Sequence, residues 1–253
     1  MRHFFTILGH EIRALLVNPS TYIAAVLFLG VMGFVFSEVL DVYSKIPQET
    51  APAVIFFRFF PIPALFIVPL LTMRCLAEER RLGTIETLLT TPVTSTEVVL
   101  GKYGAAYLLY VGLWACTGGF FYILYRFAGD ARLIDPGPML GGYCFIAVSS
   151  LLFVAIGVFS SSLSRNQAVA GITSFTLLFG LIVGLHYAIQ LPIVQADLPH
   201  PVLSVLGSAA ILDHFSDFSR GIVDTHEVLF YLSSTALTLI FSILSVEAKL
   251  LHS

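Results

Sequence analysis

The chain reads as an all-α polytopic membrane protein with six transmembrane helices, and three observations predict that class. First, 57% of its 253 residues are hydrophobic and only 11% are charged, less than half of the roughly 25% charged residues of a soluble domain. Second, apolar runs of about 20 residues follow one another, the length that crosses a hydrocarbon core of about 30 Å as a helix. Third, those runs are continuous. A transmembrane β-barrel alternates apolar and polar residues over about ten positions, and that pattern is missing. The net charge of −3 comes with no basic tail or Lys/Arg cluster, so nucleic acid is not an expected partner. Cys75, Cys116 and Cys144 lie in or beside apolar runs and read as small packed hydrophobes instead of a disulfide framework.

Residues 1–253 are read as one transmembrane domain. Residues 1–18 open it with an amphipathic segment in which Phe4, Ile7, Leu8, Ile12, Leu15 and Leu16 lie along the bilayer surface and Arg2, His10, Glu11 and Arg13 face water, the pattern of an interfacial helix. His10 and Glu11 interrupt the apolar run too early for a cleavable signal. Asn18-Pro19-Ser20 breaks the helix, and span 1 is expected over residues 21–40. Span 2, over 54–76, contains Pro61, Pro63 and Pro69. Each proline removes a backbone donor, so that helix is predicted to bend or break, with neighbouring helices covering the freed carbonyls. Span 3 covers 98–125, span 4 138–159, span 5 168–189 and span 6 228–246. Residues 192–226 alternate Pro-rich polar pieces with apolar pairs, which predicts two short helices that partly re-enter the membrane from the outer side.

The longest patterned polar interval lies between spans 2 and 3. Leu82, Ile85, Leu88 and Leu89 recur at three- and four-residue spacing, one face of a short helix over 78–91. Glu78, Glu79, Arg80, Arg81 and Glu86 flank that face, and Pro92 ends the pattern. Thr94 and Glu97 then have the spacing of a capping box ahead of span 3. Six spans put both termini on one side. With that side cytoplasmic, it receives eight of the 13 Lys and Arg residues and the outer side five, a modest agreement with the positive-inside tendency. The 78–91 segment is then cytoplasmic and the 192–226 excursion faces outward.

Glu78-Glu-Arg-Arg-Leu-Gly-Thr-Ile-Glu-Thr-Leu-Leu-Thr-Thr-Pro-Val, followed by Val99-Leu-Gly-Lys-Tyr103, resembles the permease subunits of type-2 ABC exporters. Ser160-Ser-Ser-Leu-Ser-Arg-Asn-Gln-Ala-Val and Asp213-His-Phe-Ser-Asp-Phe-Ser-Arg-Gly-Ile-Val-Asp are similar to the gliding-motility-associated branch. The resemblance implies a half-transporter in the bacterial inner membrane, paired with a second permease chain, identical or paralogous. Two ABC ATPase subunits would dock from the cytoplasm and hold the ATP and magnesium. The segment between spans 2 and 3 would be the coupling helix, with Glu78, Glu79, Arg80, Arg81, Leu82, Gly83, Thr84, Ile85, Glu86, Leu88 and Leu89 as its contact residues. No cofactor is expected on this chain. Gly101-Lys102 is followed by Tyr103 and lacks the upstream glycine of a phosphate-cradling loop, so the chain is not expected to be an enzyme.

Other residues keep two readings at this stage. Arg58 either reaches outer water along its own stem or pairs with Glu38 or Asp41 to close an outer gate. Gly180 and Gly184 mark close helix packing, within the subunit or at a dimer interface. Tyr103, Tyr107, Tyr110 and Trp114 share a face of span 3, for bundle packing and anchoring or for a substrate stripe. Asp213, His214, Asp217, His226 and Glu227 read as solvated outer residues, since no metal-ligand spacing joins them. The N-terminal helix is a surface anchor or a grip on the ATPase. Two other functions compete: an ion-coupled secondary transporter, which wants a midplane carboxylate that no span supplies, and an intramembrane hydrolase built on Ser149 or Ser150 with His186.

Overall fold

The computed structural model describes residues 2–45, 50–83, 94–127, 135–192, 199, 206–207, 209–222 and 224–250. The described residues form helices and no strands. Six helices are long and apolar enough to cross a membrane: Pro19–Lys45, Pro61–Leu82, Ser95–Phe127, Pro136–Leu163, Gln167–Gln190 and Thr225–Ala248. They are spans 1 to 6. The N-terminal helix, Arg2–Val17, precedes them and packs against the start of span 3.

The proline-rich stretch divides as its chemistry requires. A helix over Pro52–Arg58 stops at Phe59 and Phe60, and span 2 begins afresh at Pro61. Pro61 has no N–H to give the preceding turn, while the first turn of a new helix needs none from it. The capping box also forms: the Glu97 N–H donates to the Thr94 hydroxyl oxygen, and the Thr94 N–H donates to the Glu97 carboxylate. Span 3 then breaks once, at Thr117, into Ser95–Cys116 and Gly118–Phe127. There the Thr117 hydroxyl donates to the Trp114 carbonyl at 2.6 Å, a back-bond that competes with the helix ladder.

Span 4 is the axis of the chain. Two-thirds of its apolar window is buried, against about a fifth for spans 5 and 6 (67%, 22% and 22%), so the last two spans leave most of their surface to lipid or to a partner. Close approach to span 4 is made at glycines. A Cβ at Gly157 would lie 2.3 Å from the Thr72 hydroxyl of span 2, and one at Gly142 would lie 2.3 Å from the Phe57 ring. Tyr103 and Tyr107 donate to the Leu151 and Ala147 carbonyls, stitching span 3 to span 4. Tyr110 and Trp114 are buried, so this face packs the bundle. At one end, Phe36, Phe56, Phe57, Phe121 and Trp114 interlock at ring distances of 5.3–6.4 Å.

Two expectations change, and a third is met in part among the described residues. Among the described residues, Gly180 and Gly184 admit no neighbouring helix of this chain: a Cβ on Gly180 meets nothing within 4 Å, and one on Gly184 meets only the chain's own Phe179 carbonyl. Their segment, Gly180–Gly184, is a π-helical turn within span 5. The excursion contributes one described helix, Ile211–Ser219, which packs on the start of span 4 so tightly that a Cβ at Gly141 would sit 2.1 Å from the Phe218 carbonyl. The companion helix falls among residues that lie partly outside the described ones. Finally, His214 and Glu227 are buried, with the His214 ring 3.1 Å from the Tyr231 hydroxyl. They belong to the joint between the Ile211–Ser219 helix and span 6 and are not solvated loop residues.

Candidate functional site at the end of span 2

Span 2 ends in a short helix, Ala77–Leu82, and Gly83 closes it with φ of +71°, a left-handed cap that glycine adopts without steric cost. The helix expected over 78–91 therefore has an end at Leu82. Thr84, Ile85, Glu86, Leu88 and Leu89 lie outside the described residues.

The N-terminus of this short helix is capped from another span. The Ser161 hydroxyl oxygen of span 4 accepts the N–H groups of Leu76 and Ala77, both at 3.0 Å. These are donors that a helix start leaves without an internal acceptor. On the next turn Arg80 reaches span 6, donating from Nη2 to the Ser245 carbonyl at 3.1 Å, and the Ser245 hydroxyl donates to the Ser162 carbonyl. Spans 2, 4 and 6 are thus joined at one end by the serines that close the apolar run of span 4.

Glu79 faces the other way, toward span 3. The Lys102 ammonium lies 2.8 Å from Glu79 Oε1 and 2.7 Å from Glu11 Oε1, and its side chain is 5% exposed, against 18% and 20% for the two carboxylates. A buried cation is tolerated only when paired, and here two carboxylates share it. Glu11 comes from the N-terminal helix, so that helix turns this acid inward, contrary to the water-facing position expected for it. The docking is close because span 3 offers glycines: a Cβ on Gly101 would come within 2.7 Å of Ile7, and one on Gly104 within 3.1 Å of Leu8.

The contact residues predicted for the coupling segment therefore separate. Glu79 and Arg80 are committed inside the chain, to Lys102 and to Ser245. Glu78 is half-buried and lines a cavity beneath the N-terminal helix. Arg81, Leu82 and Gly83 are exposed, Leu82 at 62%. At the opposite end, Glu38, Asp41 and Arg58 are all exposed, Asp41 pairs with Lys45 one turn on, and among the described residues no ion pair joins Arg58 to Glu38 or Asp41. The candidate hydrolytic group is not assembled either. His186 contacts Gln190 and Asp213, while the Ser150 hydroxyl donates to the Ala147 carbonyl within its own helix.

Lys102, Glu11, Ser161 and Ser245 were missed as site residues from sequence. Lys102 alone carried a signal, being a lysine one turn inside an apolar run, where a charge needs a partner.

With this geometry in view, one comparison is decisive. A family model described as ABC-2 family transporter protein matches residues 6–246. No curated protein matches the chain. The match takes in the N-terminal helix from its second turn, all six spans and the joint between them, so the chain belongs to the ABC-2 transporter family and is the membrane permease component of an ABC transporter, not its ATPase.

Proposed function

We propose that this permease is half of an ATP-driven exporter and that the end of span 2, with the segment that follows it, receives the movement of a separate ATPase subunit. The observation that carries the reading is the Glu11–Lys102–Glu79 cluster. A push on the exposed tip at Arg81 and Leu82 reaches the N-terminal helix and span 3 through that cluster, and spans 4 and 6 through Ser161 and Arg80. A bundle end tied in this way moves as a unit. Closure of the ATPase pair would then tilt the helices together and change which side of a dimeric path is open, the partner being a second permease chain. ATP and magnesium belong to the ATPase. The same linkage serves export or mechanical work on another protein. Membership of the gliding-motility-associated branch rests on the 160–169 and 213–224 motifs. On this reading both termini face the cytoplasm.

Apolar contacts at Leu82, Ile85, Leu88 and Leu89 supply docking affinity, and Arg81 and Glu86 guide orientation through charge. The test is affinity purification in mild detergent. A soluble ATPase is expected to be retained by the wild-type permease and lost from an Ile85→Asp, Leu89→Asp double variant that still inserts and purifies as a folded chain. Full retention by the double variant would contradict the docking surface.

A further inference from the structure

A cavity of about 230 Å³ opens between the N-terminal helix, the start of span 1 and the end of span 2. That is smaller than the roughly 300–1,000 Å³ of a site that encloses a drug-sized molecule, so it suits a compact polar group whose remainder lies elsewhere.

The wall formed by span 2 carries Arg74 and Glu78, one helical turn apart. Their i, i+4 spacing permits a salt bridge, yet they form none, and neither side chain is hydrogen-bonded to a described residue. The Arg74 Nε–H is buried with no acceptor among the described residues, and a buried donor left unpaired is costly. Lys102, at the back, is shared by Glu11 and Glu79, which leaves that group one negative charge in excess. Of the remaining charges on the lining, Arg74 and Glu78 are a cation and an anion side by side, unpaired among the described residues, and the excess negative charge behind them favours an ammonium over a second anion. Leu70, also on the lining, is apolar and 42% exposed, so an apolar chain leaving the cavity has a surface to follow.

A zwitterion with an apolar tail, held at the level where an interfacial helix meets two span ends, is a phospholipid of the surrounding leaflet. Its phosphate diester matches the Arg74 guanidinium, which binds such oxygens in a fork. Glu78 is an acceptor and wants N–H donors. A primary ammonium provides three; a trimethylammonium provides none, and an uncharged glycerol head group would leave the phosphate charge facing the carboxylate. We propose that this cavity binds the head group of an aminophospholipid, phosphate on Arg74 and ammonium on Glu78, wedged under the N-terminal helix.

Native mass spectrometry of the detergent-purified chain tests this, with phosphatidylethanolamine, phosphatidylcholine and phosphatidylglycerol added at equal concentration. Phosphatidylethanolamine adducts are expected to exceed the other two several-fold. Arg74→Gln should lower adducts of all three lipids, and Glu78→Gln should erase the preference for ethanolamine over choline while adducts persist. Equal binding of the three lipids, a lead for phosphatidylglycerol, or a preference that survives Glu78→Gln overturns the proposal. The ranking on the wild-type chain decides by itself if a variant fails to fold, and it needs no ATPase, so its failure leaves the coupling reading standing.

Discussion

Lys102 shows how much one charged side chain can organise. Removing it by Lys102→Met leaves two largely buried carboxylates facing each other without a cation. For a fully buried pair such a loss costs about 3–5 kcal/mol, and with the acids about a fifth exposed a cost of about 2–3 kcal/mol is expected. Thermal unfolding in detergent would read it as a clearly lowered midpoint; a variant melting with wild type would show that the cluster does not hold the bundle end. At this scale the sequence was only half legible. The lysine stands out in Val98-Val-Leu-Gly-Lys-Tyr103, but its partner Glu11 lies 91 positions earlier, and the interfacial pattern assigns that glutamate to water. Partner choice at such separation is settled by how two helices dock, which no local period encodes.

Elements were more legible, because their ends are written in local chemistry. The Thr94–Glu97 capping box and the prolines of span 2 place helix boundaries where backbone donors must be satisfied or are absent. Glycine was less readable. The Gly180/Gly184 spacing suggested a contact, whereas the crowded positions are Gly101, Gly141, Gly142 and Gly157, whose neighbours come from distant parts of the chain. A paired substitution separates the two kinds. Gly141→Ala places a methyl group against the Phe218 carbonyl and should destabilise by about 1–3 kcal/mol, as overpacking does. Gly180→Ala meets open space on a helical backbone and should cost nothing, or gain about 0.5–1 kcal/mol. Equal melting shifts for both would contradict the packing described for span 4.

For the whole molecule, composition and run length were enough to give six spans, and the residues around 78–103 were enough to suggest the family that the match over 6–246 establishes. The serine and arginine ties among spans 2, 4 and 6, and the salt-bridge cluster joining span 2 to span 3 and the N-terminal helix, were not legible. They make the end of span 2 the gathered end of the bundle. If a neighbouring ATPase works this bundle, the exposed tip of span 2 must touch it. A photoreactive amino acid at Leu82, with a control at Phe127 (84% exposed) on span 3's far end, tests that contact in intact membranes. Light should attach a soluble ATPase at position 82 and none at 127. Adducts with lipid alone at 82, or with a protein of the outer compartment, would contradict the coupling role of this end of the chain.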